Sequence, residues 1–78
     1  MAVQPPTPQA IGAAVRSLRQ ARGLTLEVLA DAAGMNVTYL SDIERGRSNP
    51  TMGKLGDLAI VLDISVSELI ARAEQDQA

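Results

Sequence analysis

The chain has 78 residues, room for one domain with a modest core, and such domains often gain stability by pairing with a second copy. Hydrophobic residues make up 46% and aromatics 1%, so the core has to be built from Leu, Ile, Val, Ala and Met, a set that favours helices over strands. Cysteine and histidine are both absent, which excludes a disulfide framework, a thiolate metal site and an imidazole general base.

Residues 1–8 hold three prolines and no apolar period, and are expected to form a flexible or extended N-terminal arm. From Gln9 the pattern changes: Ile11, Val15 and Leu18 share one face of a helix running to about Arg22, with Gly23 placed to end it. Thr25 is positioned to cap a second helix with Leu26, Leu29, Ala30 and Ala33 inward, and Gly34 stops it. Asn36 then caps a third helix with Leu40 and Ile43 inward, ending before Gly46. The link between these two helices is too short for them to lie antiparallel, so the pair should cross steeply as a helix-turn-helix.

Residues 45–50 form a polar loop, and Thr51 opens a fourth helix with Met52, Leu55, Leu58, Ala59 and Leu62 as its apolar set. Ser65 and Glu68 fit a capping box that starts a fifth helix with Val66, Leu69, Ile70 and Ala73 on one side. The domain is thus expected over residues 9–74, with residues 75–78 a frayed polar tail. No apolar run approaches the roughly 20 residues of a membrane span and no signal-peptide pattern opens the chain, so a cytoplasmic protein without a membrane partner is expected.

Net charge is −2, but its distribution is uneven. Residues 1–56 carry Arg16, Arg19, Arg22, Arg45, Arg47 and Lys54 against Glu27, Asp31, Asp42 and Glu44. Residues 57–78 carry Arg72 against Asp57, Asp63, Glu68, Glu74 and Asp76. Such asymmetry steers one face toward a polyanion while the other keeps the chain soluble.

The order and spacing of Ile11-Gly12-x-x-Val15-Arg16-x-Leu18-Arg19, Gly23-Leu24-Thr25, Leu29-Ala30, Gly34, and Tyr39 through Asn49-Pro50, followed by Leu55, Leu58-Ala59 and Leu62, resembles the Cro and lambda-repressor-type (XRE-family) DNA-binding domains. The resemblance implies an all-α, five-helix fold with the helix-turn-helix at helices 2 and 3. It also implies a role as a bacterial or phage transcription regulator, with helix 3 in the major groove of double-stranded DNA.

On that reading Val37, Thr38, Ser41 and Asp42 face the bases: Val37 and the Thr38 methyl against thymine methyls, the hydroxyls toward several bases, and Asp42 toward a cytosine amino group. Relatives often carry Gln or Arg at the Val37 position, so part of the specificity is expected from DNA shape. Asn36, Tyr39, Arg45, Arg47, Asn49 and Lys54 are the phosphate-contact candidates, Lys54 because a cation in a first helical turn opposes the dipole unless an anion is nearby. Tyr39 either reaches a phosphate or simply packs beside helix 4. Leu26 stands where relatives often place a phosphate-holding Gln. Arg19 and Glu44 match a structural ion pair tying helix 1 to helix 3.

Ile60, Val61, Ile64, Val66 and Ile70 exceed what one buried face needs and are the candidate homodimer surface, matching a twofold operator. The alternative use of these residues is in a small Ala-rich core. No cofactor, metal or enzymatic activity is expected, since nothing is present to activate a serine. Steric repression, or activation by touching RNA polymerase, would be the mechanism. The rival readings are a protein-binding adaptor and an antitoxin-type partner built on the same fold.

Overall fold

A computed structural model describes residues 4–77, which form five helices and, among the described residues, no strand: α1 (Pro8–Ala21), α2 (Leu26–Ala32), α3 (Val37–Glu44), α4 (Met52–Val61) and α5 (Val66–Gln77). Each begins on a side chain that satisfies an otherwise orphaned backbone amide. The hydroxyls of Thr25 and Thr51 accept from the Val28 and Lys54 N–H groups at 3.1 and 3.2 Å. The Asn36 side chain accepts from Thr38 N–H at 2.7 Å. At α5 the capping box closes both ways, Glu68 N–H donating to Ser65 Oγ and Ser65 N–H to Glu68 Oε1, at 3.0 and 3.3 Å.

Both ends of the chain depart from expectation. The arm ends one residue early: Thr7 caps α1 by accepting from Ala10 N–H, and Pro8 is its first helical residue. Proline suits that position, having a preset φ and no N–H to leave unpaired. At the other end α5 is helical through Gln77, past Glu74, where the tail was expected to begin. The Gln77 carboxamide accepts from Thr7 N–H at 2.7 Å and donates to the Pro5 carbonyl at 3.4 Å. A contact spanning 70 residues thus gives the last turn of α5 a partner and holds Pro5–Thr7 against the domain. Residues 1–3 of the expected arm, and Ala78 of the expected tail, lie outside the described residues.

The core is aliphatic. Val15, Leu29, Leu40, Ile43, Leu58, Leu62 and Leu69 are its largest fully enclosed side chains, with Ala14, Ala30, Ala59 and Ala73 between them. α1 packs against α3 and α5, α2 against α3 and α4, and α4 against α5. The α1–α3 crossing turns on Gly12, where a Cβ would fall 2.1 Å from the Ile43 carbonyl oxygen and 2.7 Å from that of Glu44. Only a residue without a side chain lets the two backbones approach this closely. One assignment differs from the periodic reading, Met52 being 68% exposed at the first turn of α4, and Pro50, the last residue of the expected polar loop, is buried.

Candidate nucleic-acid interface

The turn between α2 and α3 is held by Met35 N–H donating to Ala30 O at 2.9 Å and Gly34 N–H to Asp31 O at 3.1 Å, with Gly34 left-handed at φ +69°. This bonding closes α2 and sends the chain directly into Asn36, whose cap orients the first turn of α3. Leu40 and Ile43 anchor α3 in the core with no exposed surface, so the helix cannot roll and its outward residues are preset.

Those outward residues fall into two rows. At the tip, Asn36 and Thr38 are exposed and Val37 is 38% exposed, an apolar side chain that nothing in the core claims. Asn36 has committed its carbonyl oxygen to the cap, leaving its amide protons outward. Further along, Ser41 and Asp42 are half-buried, and the Asp42 backbone carbonyl accepts from both Arg47 and Ser48 N–H, at 2.8 and 3.3 Å, folding the following loop back on the helix. Arg45, Arg47 and Asn49 are exposed on that loop and Lys54 is half-buried in the first turn of α4. The Tyr39 ring is half-buried and packs against the core.

Arg19 and Glu44 meet as a two-pronged ion pair, Arg19 Nε to Glu44 Oε2 at 2.8 Å and Nη2 to Oε1 at 3.0 Å. The third nitrogen, Nη1, donates to the Leu24 carbonyl at 2.9 Å, so one guanidinium ties the end of α1 to the α1–α2 link and to α3. The hydrogen bonds to Glu44 hold the Arg19 pKa above its ordinary value, outweighing the opposing cost of partial burial.

Beside this pair lies a polar cleft of about 200 Å3 lined by Arg16, Arg19, Leu26, Ser41, Glu44 and Arg45. Ser41, expected at a base, and Arg45, expected at a phosphate, line the same cleft together with Arg16, which is not among the expected contacts. Its signal was available: Arg16 precedes Arg19 by three residues, one helical turn, so a residue pair that docks Arg19 on α3 brings Arg16 to the same side.

The candidate dimer residues divide. Ile60 is 78% exposed, whereas Val61, Ile64, Val66 and Ile70 are half-buried and pack against the core. Val28 on α2, 51% exposed, is an apolar surface residue the periodic reading passed over.

Residues 15–69 match the helix-turn-helix family HTH_3, and the chain belongs to that family. It is 48% identical over 60 residues to the HTH-type transcriptional regulator DdrOP3 of Deinococcus deserti, covering 77% of this chain and 46% of that relative, so it spans less than half of that protein's length. The solved structure of the clp gene regulator ClgR from Corynebacterium glutamicum superposes with a TM-score of 0.88 at 36% identity, covering 96% of this chain and 97% of that one. The biofilm master regulator SinR, solved in complex with DNA, superposes with a TM-score of 0.73 at 40% identity, covering 76% of this chain and 95% of its own. The five-helix, all-α architecture implied by the sequence motifs is the one observed. Among the described residues, no helix is long and apolar enough to cross a membrane.

Proposed function

We propose that this chain is a sequence-specific, double-stranded DNA-binding transcription regulator acting in the bacterial or phage-infected cytoplasm. It reads the major groove with the first turn of α3 and binds a twofold-symmetric operator as a homodimer. The observation that carries the reading is the exposed, rigidly capped tip of α3. Val37 and Thr38 project there at the end of a helix whose opposite face is locked in the core. An outward branched apolar residue has no packing role at such a site, and it suits a thymine methyl. Likeness to SinR, solved with DNA, supports the same use.

Val37, Thr38, Ser41 and Asp42 present apolar, hydroxyl and carboxylate groups to base edges. Arg45, Arg47, Asn49, Lys54 and the amide of Asn36 supply phosphate contacts that set the register. Repression follows by occupying promoter DNA, and contact with RNA polymerase from a neighbouring site would give activation. The homodimer forms around Ile60, with Val61, Ile64, Val66 and Ile70 extending the patch between α4 and α5.

Selection from a random duplex library, followed by titration of the enriched sequence at two salt concentrations, tests this directly. The expected result is a twofold-symmetric site whose affinity falls log-linearly with salt, by about 0.9 in slope for each phosphate neutralised. Binding that is weak, indifferent to sequence and indifferent to salt would transfer the assignment to a protein-binding adaptor or antitoxin-type partner.

A further inference from the structure

Gly53 and Gly56 stand inside α4, and nothing in the fold requires either of them. Every other glycine of the chain serves a left-handed backbone or a close helix approach. Beyond the helix's own backbone, a Cβ at Gly56 would meet no atom within 4 Å, and one at Gly53 only the Thr51 hydroxyl oxygen at 3.9 Å, an ordinary contact. Alanine would fit at both places. Each glycine lowers the weight of the helical state about fivefold relative to alanine, so the two together cost the first turns of α4 about 25-fold.

Two further features weaken the same stretch. The first is burial. Pro50 and Leu55 are buried, but between them Thr51, Met52 and Gly53 are exposed and Lys54 is half-buried, so the first turn places no side chain in the core. Only from Leu55 onward is the helix anchored, by Leu55, Leu58, Ala59 and Leu62. The second is charge. α2 and α5 carry Glu27 and Glu68 in their first turns, whereas that of α4 has no acidic residue and brings the Lys54 cation to the positive end of the helix dipole. What holds this turn is local bonding: Lys54 N–H donates to the Thr51 hydroxyl at 3.2 Å and Leu55 N–H to the Thr51 carbonyl at 3.0 Å. Segments with exposed hydrogen bonds and few buried side chains are the first to open. An anion at this end reverses the balance, because it meets the unbonded first-turn amides, the dipole and the lysine together.

We propose that residues 51–57 form a DNA-coupled ordering element: they open locally in the free protein and close when an operator phosphate reaches Lys54. The helix seen here is the closed form. The phosphate contact of Lys54 belongs to the DNA-binding reading, on which this inference rests; the added content is a folding step within the binding step. A turn that sets late can follow the local path of the backbone before it locks, which suits specificity drawn from DNA shape.

Residue-resolved amide hydrogen exchange on the full chain, free and with its selected operator duplex, tests this. The amides of Leu55, Gly56 and Asp57 bond back into the first turn, and that of Leu62 bonds to Leu58 in the anchored half of the same helix at 2.9 Å. In the free protein the first three are expected to exchange about tenfold or more faster than Leu62, and operator should slow them. The double variant Gly53→Ala/Gly56→Ala should slow them without DNA, by about 25-fold unless global unfolding sets the rate first. Lys54→Glu should move two readouts in opposite directions, slowing their exchange about two- to fivefold in the free protein while weakening operator binding. Equal exchange at Leu55, Gly56, Asp57 and Leu62 in the free chain overturns the proposal, whatever DNA does. Fast exchange that bound operator leaves unchanged overturns it too, with the DNA-binding reading intact. A chain that binds no duplex removes the DNA-binding reading, and the coupling with it.

Discussion

Replacing Arg19 with alanine removes three hydrogen bonds at once: two to Glu44 at 2.8 and 3.0 Å and one to the Leu24 carbonyl at 2.9 Å. The larger consequence is what stays behind. Glu44, with its side chain 6% exposed, would keep a carboxylate facing the cleft with no cation bound to it. Removing one member of a fully buried pair costs about 3–5 kcal/mol, most of it the uncompensated charge. Arg19 retains 13% of its side-chain exposure and solvent relieves part of this, so the expected loss is about 2–4 kcal/mol. A domain of this size holds roughly 4–12 kcal/mol in all, so the loss is a large share of the total and should shift the unfolding midpoint plainly.

Urea denaturation followed by helical circular dichroism at neutral pH measures the loss, and the double variant Arg19→Met/Glu44→Leu provides the control. Without a stranded charge, the double variant should recover most of what the single variant loses, because apolar replacements of buried pairs are close to neutral. The Glu44 hydrogen bonds raise the arginine pKa, so its contribution to stability is fully present below the unfolded arginine pKa. It is lost only as pH climbs through the still higher folded value, and no weakening is expected on the mildly alkaline side. A single-variant cost under about 1 kcal/mol, or a double variant losing the sum of both single losses, would refute the reasoning. The pair would then be an ordinary surface contact.

Three further outcomes are expected. Asp63 closes α4 in the left-handed region at φ +57°, the position that glycines hold after α1, α2 and α3, so Asp63→Gly should relieve backbone strain and raise the calorimetric Tm by a few degrees, about 0.5–1 kcal/mol; an unchanged or lower Tm would contradict that strain. If the proposed homodimer forms through Ile60, the wild type should sediment as a dimer and Ile60→Glu as a monomer with weaker operator binding and an intact helical signal, and a variant that still sediments as a dimer would move the interface elsewhere. Val37→Ala should leave the unfolding midpoint within about 0.5 kcal/mol of wild type while relaxing selectivity at one base pair by about 1–3 kcal/mol, read by competition between single-substitution duplexes.

The parts of this protein that were legible in its sequence are those decided within one helical turn. Thr25, Asn36, Thr51 and Ser65 start helices because a side-chain oxygen reaches an amide two or three residues on, whatever the rest of the chain does. The short link through Gly34 dictates a steep α2–α3 crossing for the same local reason, and the Arg19–Glu44 pair was readable only through family spacing. Other features depended on how the helices meet. Thr7 and Gln77 bond across 70 residues because α1 and α5 lie side by side, and nothing near either residue announces it. Polar composition alone therefore ended α5 too soon. Apolar periodicity identified Ile64, Val66 and Ile70 as surplus, yet the core half covers them, while Met52 in the same kind of pattern projects past it. The close approach of α1 to the backbone of α3 at Gly12, and the cleft lined by Arg16, Ser41 and Arg45, likewise belong to the packing of the helices. Periodicity says which residues share a face; the separation and angle of packed helices decide what that face meets.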